Sequence, residues 1–489
     1  MGWVAVIPLL LVVRGRSAWS GFLHGLMYGC VFGWLVTGWS AQAVVRYFGM
    51  PWPLAIVGLS FFYVLIFIPN FGLFGAGAAV LSRNPSSWSA RLAVPALWVV
   101  AELVRCRIVG QPWALLGYSQ YHHTGLIQIA AVTGVYGVSY LLVLGNVALA
   151  EAVVELRSGH ALRAVLPRLG LITTAIAACW AGGFLVAERG PTGGFNAQPI
   201  AIVQTDVPPA FHWTRAYADR QLMAHIAATE RLPQKPRPAL IVWPENAVTQ
   251  YVESDPMLAA RLGDLAIRRG ADILFGAPRY EDGRTFNSIR LITREGRNGG
   301  YYDKQHLVLV AERGILDAST PPAPSESPRH FSAGTEPGIL KSFVPLGVSI
   351  CHEIVYPELM RKAVLAGAEV LVNVSNDGWL DGGSGMASGQ HFAMATFRAV
   401  EARRYLVRGA VTGISGIIDP YGRVEQSLAP HTAGVVLAHV AGRNTLTPYM
   451  RLGDAFAFGC MFAAGLALAS RTPGLSWRRR RLATARFAS

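Results

Sequence analysis

Long uncharged apolar runs fill most of residues 1–187 and recur near the C-terminal end of the chain. A helix crosses the hydrocarbon core of a bilayer with roughly 20 apolar residues, and its backbone hydrogen bonds are satisfied within the segment. Runs of this kind cover residues 20–44, 54–81, 91–108, 126–150, 168–187 and 452–470, with a shorter one at 2–13. The pattern predicts a multi-span α-helical membrane domain.

Residues 195–440 have a different pattern, typical of a soluble domain. Short β-branched runs such as "PIAIVQTDV", "ALIVWPENA", "LGVSICHEI" and "AEVLVNVSND" predict buried strands. Segments with helical spacing lie between them, at 216–231, 256–269, 356–367 and 390–404. This alternation predicts a layered α/β domain. The Pro- and Ser-rich residues 316–330 predict a surface loop.

The chain is therefore predicted to have four parts. They are a transmembrane helical bundle at 1–190, an α/β domain at 195–440, a C-terminal transmembrane helix at 452–470 and a basic cytoplasmic tail at 471–489. Each of the two tethers of the α/β domain has about ten residues and spans at most ~35 Å when fully extended. The domain must lie close to the bilayer surface, which favours a lipid substrate.

The formal net charge of +14 comes largely from arginines between the apolar runs and in the tail "SWRRRRLATAR". This distribution indicates membrane orientation, and we expect no nucleic-acid partner. Most of these arginines fall on one side if each span crosses once, among them Arg14, Arg16, Arg83, Arg91, Arg157, Arg163, Arg168 and Arg478 to Arg481. The positive-inside rule then predicts an extracytoplasmic α/β domain.

The stretch "VSICHEIVYPEL" at 348–359 places Cys351, His352 and Glu353 side by side after an apolar run. Of the five cysteines only Cys351 lies in the soluble domain, which excludes an internal disulfide and a Cys-rich zinc site there. A strand-to-helix corner would expose the thiol, and a helix N-terminus would lower its pKa. The alternative is an inert cysteine packed in a buried strand.

A catalytic cysteine normally needs a base, because a free thiol is only slightly ionised at neutral pH. His352 is adjacent in sequence, but neighbouring residues of an extended segment point to opposite faces. A metal site built on His352 and Glu353 would need further ligands. The domain has no pair of histidines at i, i+4, so we expect no metal.

Other polar residues close apolar runs in the same domain. Glu245 follows "LIVWP", where partial desolvation would raise the basicity of its carboxylate. Lys304 and Glu312 flank the apolar part of "YYDKQHLVLVAER". Taken singly, each of these residues is typical of a surface charge at the end of a strand. Together with Cys351, a carboxylate and an ammonium group provide base, oxyanion stabiliser and nucleophile for acyl transfer.

The order of "WPENA", "YYDKQHLV" and "CHEI" resembles the Glu, Lys and Cys triad of the nitrilase superfamily. The membrane half resembles one branch of it, the apolipoprotein N-acyltransferases, in "GFLHGLMYGCVFGW", "QPWALLGYSQ", "IQIAAVTGVYGVSYLL" and "TLTPYMRLGD". "GAPRYEDGRTFNSI", "NVSNDGWL" and "QHFAMATFRAVEARRYLVRGAVTG" resemble the catalytic domain of that family. The resemblance covers nearly the whole chain and implies a nitrilase-like αββα sandwich for the α/β domain.

The resemblance implies a two-step exchange in a bacterial cytoplasmic (inner) membrane, without a cofactor. Cys351 would take an acyl chain from a phospholipid as a thioester and pass it to the α-amine of the diacylglyceryl-cysteine of an apolipoprotein. Glu245 would be the base, and Lys304 would stabilise the oxyanion. Glu312 would orient the lysine, and Glu353 would be a second supporting carboxylate.

Three further residues are implied as substrate contacts. Trp213 matches an aromatic residue near the lipid entrance of the family, His352 follows the nucleophile, and Trp379 lies in the glycine-rich stretch "NDGWLDGGSGMASGQH". This stretch is predicted to be a lid or gating loop, with a plain solvated loop as the alternative.

The chain departs from the family pattern at several points. His352 replaces an aromatic residue, "LVLVAER" lacks a proline and a glycine, "GSGMASGQH" lacks a proline, and relative to the family the N-terminus is short by about one membrane helix. Two other readings stay open. One is a membrane-tethered amidase that uses the same triad with water as the acceptor. The other is a catalytically silent membrane scaffold or binding protein.

Overall fold

A computed structural model describes residues 2–83, 87–190, 196–210, 213–308, 312, 330–378 and 385–471. The chain divides into two compact units. The helical unit comprises Met1–Glu188 and Leu452–Ser489, and the α/β unit comprises Arg189–Arg451.

The helical unit begins with nine α-helices within its described residues. They are α1 Ile7–Val13, α2 Ala18–Thr37, α3 Ser40–Phe48, α4 Trp52–Leu81, α5 Trp88–Arg107, α6 Thr124–Ile127, α7 Ala130–Thr133, α8 Val135–Arg157 and α9 Leu162–Arg189. Of the described helices, α8 and α9 are long and apolar enough to cross a membrane. The number rises to four if α2 with α3 and the bent α4 each form one span, with bends of 64° and 50°.

Two predicted spans differ from the helices observed. The span at 126–150 is broken, because Gly134 has φ 64° and separates the short helix α7 from α8. The span at 91–108 corresponds to α5, which carries Glu102 and several arginines and is not among the helices apolar enough to cross. One carboxylate oxygen of Glu102, Oε1, accepts hydrogen bonds from the Trp98 indole at 3.0 Å and from the Leu116 backbone N–H at 2.8 Å.

Two six-stranded sheets form the centre of the α/β unit. The strands are β1 Gln198–Gln204, β2 Leu240–Val242, β3 Asp272–Glu281, β4 Arg284–Ile292, β5 Asn298–Asp303, β6 Ile339–Lys341, β7 Pro345–Ile350, β8 Val370–Ser375, β9 Leu406–Ala410, β10 Ser415–Ile418, β11 Val424–Leu428 and β12 Gly434–Val440. The first sheet has the order β12-β1-β2-β3-β4-β5 and the second β11-β10-β9-β8-β7-β6. Within them, β1, β2 and β3 are parallel, as are β7, β8 and β9.

The two sheets pack face to face, and helices cover their outer faces. The described helices of this unit are α10 Arg215–Glu230, α11 Pro256–Arg269, α12 Pro357–Leu365, α13 Met386–Ala402 and α14 Pro448–Leu452. Apolar residues of both sheets, such as Ile202, Leu274, Val348 and Val372, form one buried core between them. A second core lies between the first sheet and α10 and α11. The predicted αββα sandwich is confirmed.

The end of the predicted glycine-rich loop is helical instead. Helix α13 begins at Met386, ahead of the predicted start at residue 390, and Gly385 precedes it with φ 70°. The residues "MASGQ" include good helix formers, and one glycine is tolerated within a helix. The last apolar helix of the chain, α15 Ala455–Ala469, has 15 residues, fewer than a straight crossing requires.

Candidate active site

Glu245, Lys304 and Cys351 lie beyond the carboxyl ends of three strands. Lys304 directly follows β5, Cys351 directly follows β7, and Glu245 comes shortly after β2. β2 and β5 run in the same direction within the first sheet, which brings the ends of both strands to one edge. The Lys304 Nζ atom lies 3.7 Å from Glu245 Oε1, and the charges of both residues act on the Cys351 thiol. The structure therefore brings these three residues together.

Cys351 opens a 3₁₀ helix, Cys351–Val355, and has φ 51°, a conformation uncommon for a residue other than glycine. Burial and then the charge of Glu245 raise the pKa of its thiol to about 12, although the charge of Lys304 opposes them. The expected lowering of this pKa by a helix N-terminus was wrong, because burial and a carboxylate outweigh it. At neutral pH the thiol is protonated and needs a base.

Glu245 is buried, and both of its carboxylate oxygens accept hydrogen bonds. Asn287 Nδ2 donates to Oε1 at 2.8 Å, and the backbone N–H of Asn376 donates to Oε2 at 2.8 Å. Burial raises the pKa of Glu245 above its usual range, although Lys304 opposes this effect. The predicted increase in basicity by desolvation is confirmed.

Lys304 is 1% exposed and lies between two carboxylates. Its Nζ atom donates to Glu312 Oε1 at 2.8 Å, closer than Glu245 Oε1 at 3.7 Å. Burial lowers the pKa of Lys304, but the charges of Glu312 and Glu245 together outweigh it, so the ammonium form is favoured. Glu312 is fixed in turn by the backbone N–H of Val308, which donates to Oε2 at 2.8 Å.

Glu353 is fully buried and joins the segment after β5 to the segment after β7. Its Oε1 atom accepts hydrogen bonds from the Tyr302 hydroxyl at 2.9 Å and from the backbone N–H groups of Gln305 and His306 at 2.7 and 3.1 Å. Its Oε2 atom accepts from the Ile350 backbone N–H at 2.8 Å. This carboxylate thus fixes the backbone that directly follows the candidate lysine and the backbone that directly precedes the candidate cysteine.

The residues predicted as substrate contacts lie in different surroundings. His352 is partly exposed beside the nucleophile, and its ring packs edge-on against Tyr356 with centroids 5.3 Å apart. Burial lowers the pKa of His352 to about 3, so its imidazole is neutral at physiological pH. Trp213 is partly exposed directly before the N-cap of α10. Trp379 lies outside the described residues.

Sequence reasoning missed Asn287 and Asn376. Asn287 Nδ2 donates to Glu245 Oε1 and to Glu312 Oε1, at 2.8 Å in both cases, and so links the two carboxylates around the lysine. Both asparagines lie in stretches that carry the family resemblance, "TFNSI" and "NVSND". The signal that could have pointed to them is an asparagine in or beside a predicted strand. In the described part of the chain, no group of three or more His, Cys, Asp or Glu residues could hold a metal ion.

The arrangement suits nucleophilic acyl transfer. A buried carboxylate with raised pKa can take a proton from the thiol, a fixed ammonium can stabilise an oxyanion, and the thiolate can form a covalent intermediate. Residues 199–449 match the family model of carbon-nitrogen hydrolases. The α/β unit is therefore a carbon-nitrogen hydrolase domain of the nitrilase-like fold, joined to a bundle of apolar helices.

Comparison of the whole chain identifies the family. Residues 1–148 match the model of the apolipoprotein N-acyltransferase N-terminal domain. The apolipoprotein N-acyltransferase of Geobacter metallireducens is 32% identical, with 96% of this chain and 90% of the relative covered. That of Brucella melitensis is 35% identical, with 89% and 84% covered. The chain belongs to the apolipoprotein N-acyltransferase family, and its activity is N-acylation of lipoproteins.

Among solved structures, that of an amidase of the nitrilase superfamily from Nesterenkonia AN1 is 17% identical in sequence, covers 55% of this chain and 99% of its own, and has a TM-score of 0.42.

Proposed function

We propose that this enzyme moves an acyl chain from a phospholipid to the α-amine of the diacylglyceryl-cysteine of an apolipoprotein, through a thioester on Cys351. The observation that supports the proposal best is the convergence of Glu245, Lys304 and Cys351 in a carbon-nitrogen hydrolase domain connected at both ends to apolar helices. Glu312 and Glu353 are supporting carboxylates. The proposed substrate contacts are His352, Trp213 and Trp379.

In the first step, Glu245 takes the thiol proton, and the Cys351 sulfur attacks the ester carbonyl carbon of the phospholipid. The ammonium of Lys304 stabilises the oxyanion of the tetrahedral intermediate. The carbon–oxygen bond to the glycerol then breaks. The proton on Glu245 passes to the departing oxygen, which leaves a lysophospholipid and a thioester.

In the second step, the α-amine of the apolipoprotein attacks the thioester carbonyl. Glu245 accepts a proton from the attacking nitrogen, and the carbon–sulfur bond breaks as the amide forms. The proton on Glu245 returns to the Cys351 thiolate, which restores the resting enzyme. A thiolate suits this exchange because it both attacks as a nucleophile and departs readily.

We also propose a location in the bacterial inner membrane. If each predicted span crosses the membrane once, the arginine distribution supports an extracytoplasmic α/β domain, residues 195–440, by the positive-inside rule. In this arrangement residues 1–190 form the transmembrane bundle, residues 452–470 contain the last transmembrane helix, and the basic tail 471–489 is cytoplasmic.

A product assay tests the proposal. Detergent-solubilised enzyme is incubated with a phospholipid labelled in its acyl chain, with and without a diacylglyceryl lipopeptide. The expected products with the lipopeptide are labelled N-acylated lipopeptide and lysophospholipid. Without it, release of labelled fatty acid at an undiminished rate would indicate a hydrolase that uses water. No reaction in folded protein would indicate a silent scaffold.

The rate of thioester formation is expected to fall at acidic pH. Glu245 accepts a proton only when ionised, and because burial raises its pKa, the ionised fraction declines at a pH above the usual range for glutamate, about 4.3. We expect an acidic limb in kcat/KM with an apparent pKa above that value. The residual activity of Glu245→Gln should lack this limb. A profile that stays flat down to pH 5 in the wild-type enzyme would contradict the assignment of the base.

Gly276 lies on β3, the strand next to β2, and its substitution is expected to impair the site. A Cβ atom here would lie 2.6 Å from Glu245 Cα and 2.6 Å from the backbone N of Asn246. Gly276→Ala should lower the free energy of unfolding by about 1–3 kcal/mol and slow acyl transfer by about 10-fold or more. Gly389→Ala is the matched control, because beyond its chain neighbours and the backbone of its own helix no atom lies within 4 Å of its added Cβ. If Gly276→Ala and Gly389→Ala were equally active in the product assay, the result would contradict the close packing of Gly276 against the backbone of Glu245.

A further inference from the structure

A half-open apolar cavity lies within the helical unit, among the C-terminal ends of α1, α4 and α8 and the N-terminal end of α5. It contains about 500 Å³ of empty space, part of which is open to the surroundings. Sites for small ligands typically have roughly 300–1,000 Å³. The proposed catalytic residues all belong to the α/β unit, and none of them lines this cavity. Apolar side chains of all four helices line it, among them Leu11, Val13, Leu81, Val94, Val147 and Val154.

Three charged side chains, Arg14, Arg91 and Glu151, also line the cavity. Arg91 is 3% exposed, and its Nε atom donates to Glu151 Oε2 at 2.6 Å. Arg14 directly follows α1 and is partly exposed. Within the described residues, its guanidinium group forms no hydrogen bond or ion pair. Because Glu151 can neutralise only one of the two arginines, the cavity has a net positive charge.

Trp88 indicates the depth of this end of the bundle in a bilayer. Its side chain is 44% exposed at the start of α5, and the Arg91 guanidinium lies 5.2 Å from the centre of its ring. Tryptophan is enriched at membrane–water interfaces, where its ring lies at the level of the lipid head groups. The charged part of the cavity therefore lies at head-group level.

The apolar lining extends from the charged part toward the middle of the helices. On α5, Val94 lies one turn farther into the helix than Arg91, and on α8 Val147 lies one turn farther in than Glu151. A matching ligand has an anionic group near the helix ends and an apolar chain farther in. A phospholipid whose phosphate contacts Arg14 has this arrangement.

The helix ends around the cavity carry further positive charge. Arg16 follows two residues after Arg14, and Arg83 directly follows Ser82, which lines the cavity; both arginines are exposed. The positive-inside rule assigns these helix ends to the cytoplasmic side if each predicted span crosses once. The surface of the cytoplasmic leaflet is negative, and basic pockets between transmembrane helices on that side bind anionic lipid head groups.

We propose that this cavity binds an anionic phospholipid of the cytoplasmic leaflet, with an acyl chain against the apolar lining and the phosphate on Arg14. The planar guanidinium can donate two parallel hydrogen bonds to a phosphate. Phosphatidylglycerol is preferred over phosphatidylcholine, because the ammonium group of the latter is repelled by the net positive cavity. The lipid is a ligand of the helical unit and not the acyl donor, so the proposal goes beyond the proposed function.

Photochemical cross-linking tests the proposal. Full-length Cys351→Ala protein, which cannot form the thioester, is incubated in detergent with a phosphatidylglycerol that carries a diazirine in one acyl chain. After illumination, the cross-linked peptides are identified by mass spectrometry. We expect cross-links on the peptides that contain Leu11 or Val147. Unlabelled phosphatidylglycerol should compete about 5-fold better than unlabelled phosphatidylcholine.

Variants in the same Cys351→Ala protein separate the head-group contact from the acyl-chain contact. Arg14→Gln should reduce the cross-link about 5-fold and abolish the preference for phosphatidylglycerol, whereas Arg14→Lys retains the charge and most of the cross-link. Val94→Phe fills part of the cavity, so it should reduce the cross-link and leave the preference unchanged. Arg163→Gln is the matched control, because Arg163 is exposed on α9 and does not line the cavity. Melting temperatures are recorded for all variants.

Three results would overturn the proposal. They are cross-links absent from the peptides that line the cavity, equal competition by the two unlabelled lipids, and a cross-link in Arg14→Gln as strong as that in Arg163→Gln. Equal losses in Arg14→Gln and Arg14→Lys that follow their melting temperatures would also contradict it. The cross-link requires no acyl transfer, so failure of the wild-type enzyme to form a thioester would overturn the proposed function alone.

Discussion

Glu245→Gln is expected to slow acyl-enzyme formation by about 10²- to 10⁴-fold while the protein remains folded. The thiol of Cys351, with a pKa of about 12, is protonated at neutral pH and cannot attack an ester without a base. Glutamine has nearly the same shape as glutamate and can still accept a hydrogen bond from Asn287. It cannot accept the proton, so the loss should appear in the rate of adduct formation and not in the amount of folded protein.

A surface carboxylate provides the control. Glu230 forms an exposed ion pair with Arg268, at 3.2 Å, on the outside of the α/β unit. Glu230→Gln should leave the adduct rate and the melting temperature unchanged, because exposed pairs contribute little. Adduct formation at the wild-type rate in Glu245→Gln would show that another group is the base.

Lys304→Met is expected to have the second large effect, on both activity and stability. It removes the proposed oxyanion stabiliser and leaves Glu245 and Glu312 buried together without a cation. We expect adduct formation to fall by about 10²- to 10³-fold. The free energy of unfolding should fall by about 3–5 kcal/mol, since breaking a buried ion pair leaves charges uncompensated.

A double variant separates these two effects. Lys304→Met with Glu312→Gln removes one of the two unpaired carboxylates and should recover part of the lost melting temperature. Adduct formation should not recover, because the oxyanion still lacks its ammonium. Recovery of activity in parallel with stability would mean that Lys304 is a structural residue only.

Much of the fold follows from residue patterns in the sequence. The β-branched runs before Glu245 and Cys351 predict buried strands, and strands with interleaved helices predict layers, which the two packed sheets confirm. The helical unit was less predictable, because apolarity does not reveal where a helix breaks. Gly134 interrupts an apolar run that has no charged residue at the break, and its φ of 64° depends on the folded backbone.

The site was only partly predictable for a similar reason. Glu245 and Cys351 stand out because each ends an apolar run, and Lys304 because it flanks one. Asn287 lies within a strand and His391 within a helix, where side chains of these types are more often surface or packing residues. Their contacts with Glu245 Oε1 and the Cys351 carbonyl come from distant parts of the chain. The pKa of the Cys351 thiol depends on burial and on Glu245, so local sequence predicted the wrong direction.

The most direct test of the account is to locate the acyl group on the enzyme. Wild-type protein is incubated with an acyl-labelled phospholipid without acceptor, denatured in acid, digested and analysed by mass spectrometry, with and without hydroxylamine. The account predicts one acyl chain on the peptide that contains Cys351, removed by neutral hydroxylamine, absent in Cys351→Ala and lost when a diacylglyceryl lipopeptide is added before denaturation. An adduct on another residue, or active enzyme that never carries an acyl group on Cys351, would contradict it.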